Sequence, residues 1–277
     1  MVTLKKFDNG FAYIEIQNLN AVAKIALQGA HIFEYKRSNG EDILWLSDKS
    51  DFEEGKAIRG GVPICWPRFG SFDSALPPHG FARTMLFTFL GAKEIDEGRT
   101  VVSFKLQDNP QSREIWEYKF ELEVNFIIGD TLEIELKTTN KDDKEFMITQ
   151  ALHSYFNVSE INNVKILGLE DKPYLDTLTN KEELQKGEIF FDKEVDRVYQ
   201  DVKNEIVLAD NLKELHLNAV GSSSAIVWNP WIDKCARMSA MDKEAYREFV
   251  CIESANAQED FRIVCAGESH ALNLTIE

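Results

Sequence analysis

Residues 116–126 read WEYKFELEVNF, an unbroken alternation of apolar and polar side chains. Successive side chains of a β-strand point to opposite faces, so a period of two indicates a strand that is buried on one face only. Gly129 and Asp130 interrupt the alternation, and TLEIELK, residues 131–137, resumes it. The whole stretch therefore predicts an antiparallel hairpin with one face on the core and the other in water.

The same period of two returns in shorter segments along the chain. They are AYIEIQ (12–17), VVSFKL (101–106), FMITQAL (146–152), SAIVW (224–228), FVCIES (249–254) and ALNLTIE (271–277). Helical signals are confined to DKEAYREF (242–249) and NKEELQKG (180–187), each long enough for a turn or two. Many strands and few helices predict an all-β fold, a large antiparallel β-sandwich with few short helices, built as a single domain over residues 1–277.

Composition and charge exclude several classes of protein. The chain has 277 residues, of which 44% are hydrophobic, and this globular composition excludes general disorder. Its 31 basic and 47 acidic residues give a net charge of −16, which argues against nucleic-acid binding because a phosphate backbone demands a basic face. Since we find neither a secretory pattern nor an apolar run of about 18 residues, we expect a cytoplasmic protein with no membrane partner.

The four cysteines carry no recognisable chemistry. Cys65, Cys235, Cys251 and Cys265 form no CxxC pair, and none has a histidine at metal-finger spacing. Isolated cysteines in a chain of this length are typical of reduced, mostly buried thiols. We therefore predict no disulfide and no catalytic thiol.

One irregular, basic stretch stands apart from the alternating segments. IRGGVPICWPRFGSFDSALPPHGFART, residues 58–84, contains four of the seven prolines and predicts an ordered loop without a long regular element. Arg59, Arg68 and Arg83 face a single acid, Asp73, so the stretch carries a local charge of +2. Such an island can capture an anion despite the overall negative charge. The alternative is that these arginines pair with acids from elsewhere in the fold.

Several polar residues are candidates for chemistry, each with a structural alternative. His153, in QALHSYFNVS (150–159), is a functional group or a satisfied core histidine, and Glu253, which ends FVCIE, lies in a pocket or in water at a strand end. His79 belongs to the irregular loop, where functional residues concentrate. Asp196 alone carries no signal, and Trp228 stacks on a sugar or packs in the core. We find no motif for nucleotides or catalytic metals, and so predict no cofactor.

Taken in chain order, these segments resemble the galactose mutarotase superfamily, specifically its glucose-6-phosphate 1-epimerase (hexose-6-phosphate mutarotase) branch. The matching segments are IRGGVPICWPRFG (58–70), PPHGFART (77–84), QALHSYFNVS (150–159), DRVY (196–199), IVWNPW (226–231) and FVCIESAN (249–256). With the flanking strands, the resemblance covers nearly the whole chain. It implies an antiparallel β-sandwich with the sugar site on the concave face of one sheet.

The resemblance also implies roles for the candidate residues. His153 is expected to be the general acid that protonates the ring oxygen, and Glu253 the general base that takes the proton of the anomeric hydroxyl. Ring opening requires these two proton transfers and no metal, nucleotide or redox cofactor. A carboxylate with its ordinary pKa of about 4.3 would be ionised at neutral pH, and a neighbouring carboxylate would favour the protonated imidazole.

The remaining implied roles concern substrate binding. Arg59 and Arg83 are expected to bind the substrate, with its phosphate as the target, Asp196 to accept hydrogen bonds from sugar hydroxyls, and His79 to line the pocket. Some relatives have a glutamine before the His-Gly pair, where this chain has Pro78. The expected partner is a small sugar phosphate, bound by a monomer. The alternatives are a mutarotase for unphosphorylated aldoses such as galactose, and a non-catalytic carbohydrate-binding protein.

Overall fold

The hairpin predicted from the alternating stretch is present in the structure, a computed structural model that describes residues 1–70 and 76–277. Its strands are Phe120–Ile128 and Leu132–Asn140, paired antiparallel from Ile128 opposite Leu132 onward. Buried and half-buried side chains alternate along both strands. The first strand begins four residues later than the alternation, because a short helix ends at Ile115 and its C-cap, Trp116, donates its N–H back to Ser112.

The described part of the chain contains strands from end to end. The first half has β1 Val2–Lys6, β2 Ala12–Gln17, β3 Ala21–Ala26, β4 His31–Arg37, β5 Ile64–Cys65, β6 Thr88–Asp96, β7 Arg99–Gln107, β8 Phe120–Ile128, β9 Leu132–Asn140, β10 Phe146–Ile148 and β11 Gln150–Leu152. The second half has β12 Tyr155–Asn157, β13 Lys165–Leu167, β14 Pro173–Asp176, β15 Lys181–Leu184, β16 Val195–Tyr199, β17 Ile206–Ala209, β18 Glu214–Val220, β19 Ser224–Asn229, β20 Phe249–Asn256, β21 Arg262–Val264 and β22 Ser269–Ile276. All six shorter segments that the sequence predicted as strands lie within these ranges or overlap them.

Two eight-stranded antiparallel sheets dominate the architecture. One has the order β13-β17-β18-β22-β9-β8-β7-β6. The other, the site sheet, has the order β15-β14-β16-β19-β20-β11-β5, with β12 pairing beside β20. A four-stranded sheet β1-β2-β3-β4 and the small pair β10-β21 complete the fold. The prediction of an all-β, antiparallel sandwich is confirmed.

Helices are short, as predicted, and one of the two segments that the sequence suggested forms a helical turn. The α-helices of the described residues are α1, Pro110–Ile115, and α2, Trp231–Cys235. The segment 242–249 contributes only a 3₁₀ turn at Ala245–Arg247. The helix predicted at 180–187 is wrong, since Lys181–Leu184 forms β15. This segment has no apolar face to bury as a helix, whereas its pairing with β14 satisfies its backbone.

The two faces of the site sheet have different roles. On β20, Val250 and Ile252 point into the main hydrophobic core, while Cys251 and Ala255 belong to a separate apolar cluster on the other face. Glu253 lies between these last two in the alternation and therefore shares their face. The fold thus presents one face of the site sheet to the core and the other to a cleft.

Strong reductant is expected to leave activity unchanged, since every cysteine is free in the structure. Cys65, Cys235 and Cys251 are buried and Cys265 is exposed. Burial raises the pKa of the Cys65 and Cys251 thiols, which keeps them protonated and unreactive. Intact-mass measurement before and after reduction, alongside an activity assay, checks this. Loss of activity on adding reductant would contradict it.

In the described ranges, 1–70 and 76–277, no helix combines the length and the apolar character needed to cross a bilayer.

Candidate active site

A cleft of about 350 Å³ opens on the outer face of the site sheet. Its lining includes every residue that the sequence and the resemblance proposed for the site: Arg59, His79, Arg83, His153, Asp196 and Glu253. These side chains come from loops and strands spread over most of the chain. The fold therefore brings the six together in one place.

Strand register places the acidic groups of the cleft. Glu253 on β20 pairs with Ile226 on β19, and Trp228, two residues further along β19, pairs with Asp196 on β16. Residues two apart on a strand share a face, so both carboxylates and the indole of Trp228 line the same surface. Glu253 is only 2% exposed. A carboxylate buried to this degree needs a partner or a function.

The partner of Glu253 is His153, which follows β11 directly. Its Nε2 lies 3.4 Å from the Glu253 Oε1 atom. The imidazole stacks flat on the ring of Tyr155, with centroids 4.9 Å apart and an interplanar angle of 7°, and Trp228 meets it edge-on at 6.0 Å. His153 Nδ1 and Glu253 Oε2 are buried without a hydrogen-bond partner in the described part of the chain. Buried polar atoms without a partner, on side chains that line a cleft, are typical of groups with a catalytic or binding role.

The arginines enter the cleft from the irregular loop. Arg59 precedes Gly60, whose φ of +116° favours glycine, and a Cβ there would lie 2.5 Å from the Trp45 carbonyl oxygen. The Arg59 Nη1 donates to the Tyr155 hydroxyl at 3.5 Å, and the Arg83 Nη2 donates to the Pro78 carbonyl at 2.7 Å. Across residues 1–70 and 76–277, neither guanidinium has a carboxylate within 4.0 Å. The alternative in which Arg59 and Arg83 are neutralised by acids from elsewhere is not seen there.

The other members of the basic loop are placed differently. His79 has a φ of +63°, and its ring lies 5.2 Å from that of Phe69 and 5.8 Å from that of His153, centroid to centroid. Arg68 lines a neighbouring cleft that shares Phe69, His79 and Asp196 with the first. Asp73 lies outside the described residues.

The family model described as aldose 1-epimerase matches residues 13–277. The chain belongs to the aldose 1-epimerase family. It is 38% identical over 255 residues to a Salmonella typhimurium protein named "Putative glucose-6-phosphate 1-epimerase", covering 88% of this chain and 83% of that protein. An Escherichia coli protein of the same name is 35% identical over 268 residues, covering 93% and 87%.

A solved structure from Salmonella typhimurium, titled as that of a "putative mutarotase", has the same fold. It superposes with a TM-score of 0.91 at 34% identity, covering 99% of this chain and 92% of that one. The protein is therefore an isomerase of the aldose 1-epimerase family, and its fold is that of the mutarotases.

Burial controls the protonation of the central pair in this aldose 1-epimerase. It raises the pKa of Glu253 well above the usual range; Asp196 raises it further, and Arg83 opposes both. It lowers the pKa of His153 well below the usual range, and His79, Arg83 and Arg59 add to this. Both directions favour an uncharged pair, with the proton on the carboxyl group. The expectation of an ordinary carboxylate beside a protonated imidazole is wrong for these side chains on their own, because the sequence does not reveal their burial.

Sequence reasoning missed one cation in the cleft, Lys234. It lies on α2, with its Nζ 2.9 Å from the Glu194 Oε1, 3.5 Å from the Asp196 Oδ2 and 5.8 Å from the Trp228 ring centroid. Burial raises the pKa of Asp196, and Lys234 opposes this and favours the ionised carboxylate. The Asn-Pro pair before α2 is a helix-start signal that could have revealed the helix.

Acidification is expected to destabilise the enzyme through a histidine behind the arginine loop. His31 is buried, its Nε2 lies 2.7 Å from the Gly60 carbonyl oxygen, and burial lowers its pKa from 6.5 to about 4. The fold favours the neutral form of His31. The contribution of this histidine to the free energy of unfolding is therefore fully present above about pH 6.5. It is lost as pH falls towards 4, by about 3 kcal/mol in total.

His31→Gln, whose amide can still donate to Gly60, tests this prediction. Urea unfolding at several pH values should show a shallower loss of stability between pH 6.5 and 4 than in the wild type. His216→Gln is the control, because His216 is exposed and its carboxylate neighbour Glu205 raises its pKa instead. An unchanged slope for His31→Gln would contradict the assignment.

Proposed function

We propose that this enzyme interconverts the α and β anomers of hexose 6-phosphates, with glucose 6-phosphate as the preferred substrate. One observation carries the proposal: Arg59 and Arg83 enter the cleft beside the His153–Glu253 pair without a carboxylate partner among the described residues. A neutral sugar needs no such pair of cations, whereas a phosphate does, particularly in a protein of charge −16. The names of the 35–38% identical relatives support the same substrate class.

In this proposal Glu253 and His153 carry the two proton transfers. Glu253, as carboxylate, takes the proton of the anomeric hydroxyl while His153, as imidazolium, protonates the ring oxygen, and the C1–O5 bond breaks to give the open aldehyde. Rotation about the C1–C2 bond presents the other face of the carbonyl. The ring then closes with both protons returned, so the enzyme ends as it began. The 3.4 Å contact between the two side chains is close enough for them to share one proton before substrate arrives.

The other cleft residues would orient the sugar. Asp196, whose ionised form Lys234 favours, accepts hydrogen bonds from ring hydroxyls, and the indole of Trp228 offers an apolar surface to the C–H side of the pyranose. His79 has its pKa lowered to about 4 by burial, with Arg83 and Arg59 adding, so it lines the pocket as a neutral group. Pro78, which replaces a glutamine of some relatives, contributes its backbone carbonyl to Arg83 instead of a side-chain amide.

Exchange NMR on the anomers of glucose 6-phosphate, glucose and galactose tests the proposal. Enzyme added to each sugar should accelerate exchange of the glucose 6-phosphate anomers by the largest factor, after the enzyme-free rate is subtracted. Equal or greater acceleration for galactose would favour a mutarotase for unphosphorylated aldoses. No acceleration of any sugar, with binding retained, would favour a carbohydrate-binding protein.

A further inference from the structure

Charges of both signs surround His153. Arg59, Arg83 and Lys234 are the cations of its cleft, and Asp196 and Glu253 are the acids, with Glu253 in contact. The ring of His79 and the phenol of Tyr155 are neutral neighbours. Forming an imidazolium here adds a positive charge beside two guanidiniums. An anion bound by those guanidiniums would remove that opposition.

We propose that the substrate phosphate activates the proton-transfer pair as well as anchoring the sugar, so that a free oxyanion bound by Arg59 and Arg83 accelerates the anomerisation of a sugar that carries no phosphate. This inference rests on the proposed function, since it assigns a second role to the same phosphate site. It predicts behaviour that anchoring alone does not, because an anchor detached from the sugar has no effect on catalysis.

Contacts within the cleft connect the arginines to the acid. The Arg59 guanidinium donates to the hydroxyl of Tyr155, and the ring of Tyr155 lies parallel to the His153 imidazole with centroids 4.9 Å apart. Arg83 donates to the carbonyl of Pro78, next to His79 in the chain, and the ring centroid of His79 is 5.8 Å from that of His153. Both guanidiniums are therefore placed where their charge acts on the imidazole.

The activation consists of one internal proton shift. Burial favours the neutral pair. Arg83 and Arg59 both lower the pKa of His153 further, whereas of these two only Arg83 also favours the Glu253 carboxylate. Neutralising both guanidiniums therefore removes two charges that oppose the imidazolium and only one that supports the carboxylate. When a dianion neutralises the two arginines, the proton moves from the Glu253 carboxyl to His153 across their 3.4 Å contact. No proton enters or leaves. The pair then carries the carboxylate and the imidazolium that ring opening requires.

The test divides the substrate into two pieces. D-xylose has the ring of glucose without carbon 6, and phosphite dianion supplies the missing anionic group. Exchange NMR of the xylose anomers is measured with enzyme at increasing phosphite, against sodium chloride of equal ionic strength, with enzyme-free rates subtracted because oxyanions also catalyse mutarotation in solution. We expect a saturable rise of about tenfold or more, the change in protonated fraction for a pKa increase of about one unit.

Arginine variants and the pH–rate profile identify the cause of any increase in the xylose exchange rate. Arg59→Ala and Arg83→Ala should abolish the phosphite effect. Arg99→Ala should keep it, because Arg99 begins β7 outside the cleft, where it is exposed and paired with Asp96 at 2.8 Å. Phosphite should also move the alkaline limb of the xylose pH–rate profile to higher pH. A group whose pKa is raised keeps its proton to higher pH. This shift therefore distinguishes a change in the protonation of the acid from a mere stiffening of the cleft by bound phosphite.

Two outcomes overturn the proposal. In one, phosphite inhibits glucose 6-phosphate turnover, and therefore binds, yet leaves xylose exchange unchanged. In the other, phosphite affects neither sugar up to the highest concentration used, which means that the cleft accepts no separate oxyanion. In both, turnover of glucose 6-phosphate alone would leave the proposed function standing. Failure of the proposed function looks different, since glucose 6-phosphate itself would not be turned over.

Discussion

Glu253→Gln is expected to lower kcat for glucose 6-phosphate anomerisation by about 10²-fold or more, the usual scale for one acid–base group. The amide preserves size and cannot accept the proton of the anomeric hydroxyl. His153→Ala should have an effect of similar size, because the ring oxygen loses its proton donor. Binding of the sugar phosphate should survive within about tenfold, since the arginines remain in place.

The chain offers a matched control for these variants. His216 and Glu205 form a second histidine–glutamate pair, with the His216 Nδ1 2.9 Å from the Glu205 Oε2, but this pair is exposed and outside the cleft. Glu205→Gln should leave kcat unchanged. Near-normal turnover by Glu253→Gln would remove Glu253 as the base, whatever the control shows.

The arginine variants are expected to separate phosphorylated from plain sugars. Charge-assisted hydrogen bonds to a phosphate contribute roughly 1.5–3 kcal/mol each, or about ten- to a hundredfold in affinity. Arg59→Ala and Arg83→Ala should each lower kcat/KM for glucose 6-phosphate by about that factor. Exchange of plain glucose should not fall, because plain glucose has no phosphate for the guanidiniums to bind.

Salt provides an independent check on the same residues. Rising ionic strength screens the attraction between the phosphate and the guanidiniums, so it should erode the wild-type preference for glucose 6-phosphate. The double variant should be nearly indifferent to salt. A preference with the same salt dependence in both proteins would place the phosphate elsewhere in the molecule.

Much of the fold could be predicted because its signal is local. The alternation of apolar and polar residues predicts the two strands of the hairpin at residues 120–140, and Gly129 and Asp130 predict its turn. The helix prediction for residues 180–187 was wrong because the structure of this segment is not determined locally. Its charged residues favour a helix locally, while the pairing partner that makes it a strand, β14, is set by the sheet.

The site could be predicted by residue type but not by its physical state. The motifs singled out His153 and Glu253, yet their pKa directions depend on burial by strands remote in sequence, which no local pattern encodes. Lys234 escaped notice because a lysine on a helix of five residues is an ordinary surface pattern. Only the folded structure, in which α2 follows β19 and β19 pairs with β16, brings it to the carboxylate of Asp196.

The ratio of kcat/KM for glucose 6-phosphate to kcat/KM for glucose, measured by exchange NMR in the wild type and in the Arg59→Ala, Arg83→Ala double variant, tests the central claim most directly. Each arginine contributes about ten- to a hundredfold to binding of the phosphate, so the wild-type ratio should be large and the double variant should lower it by about 10²-fold or more. An unchanged ratio would contradict the proposal that these two arginines select a hexose 6-phosphate.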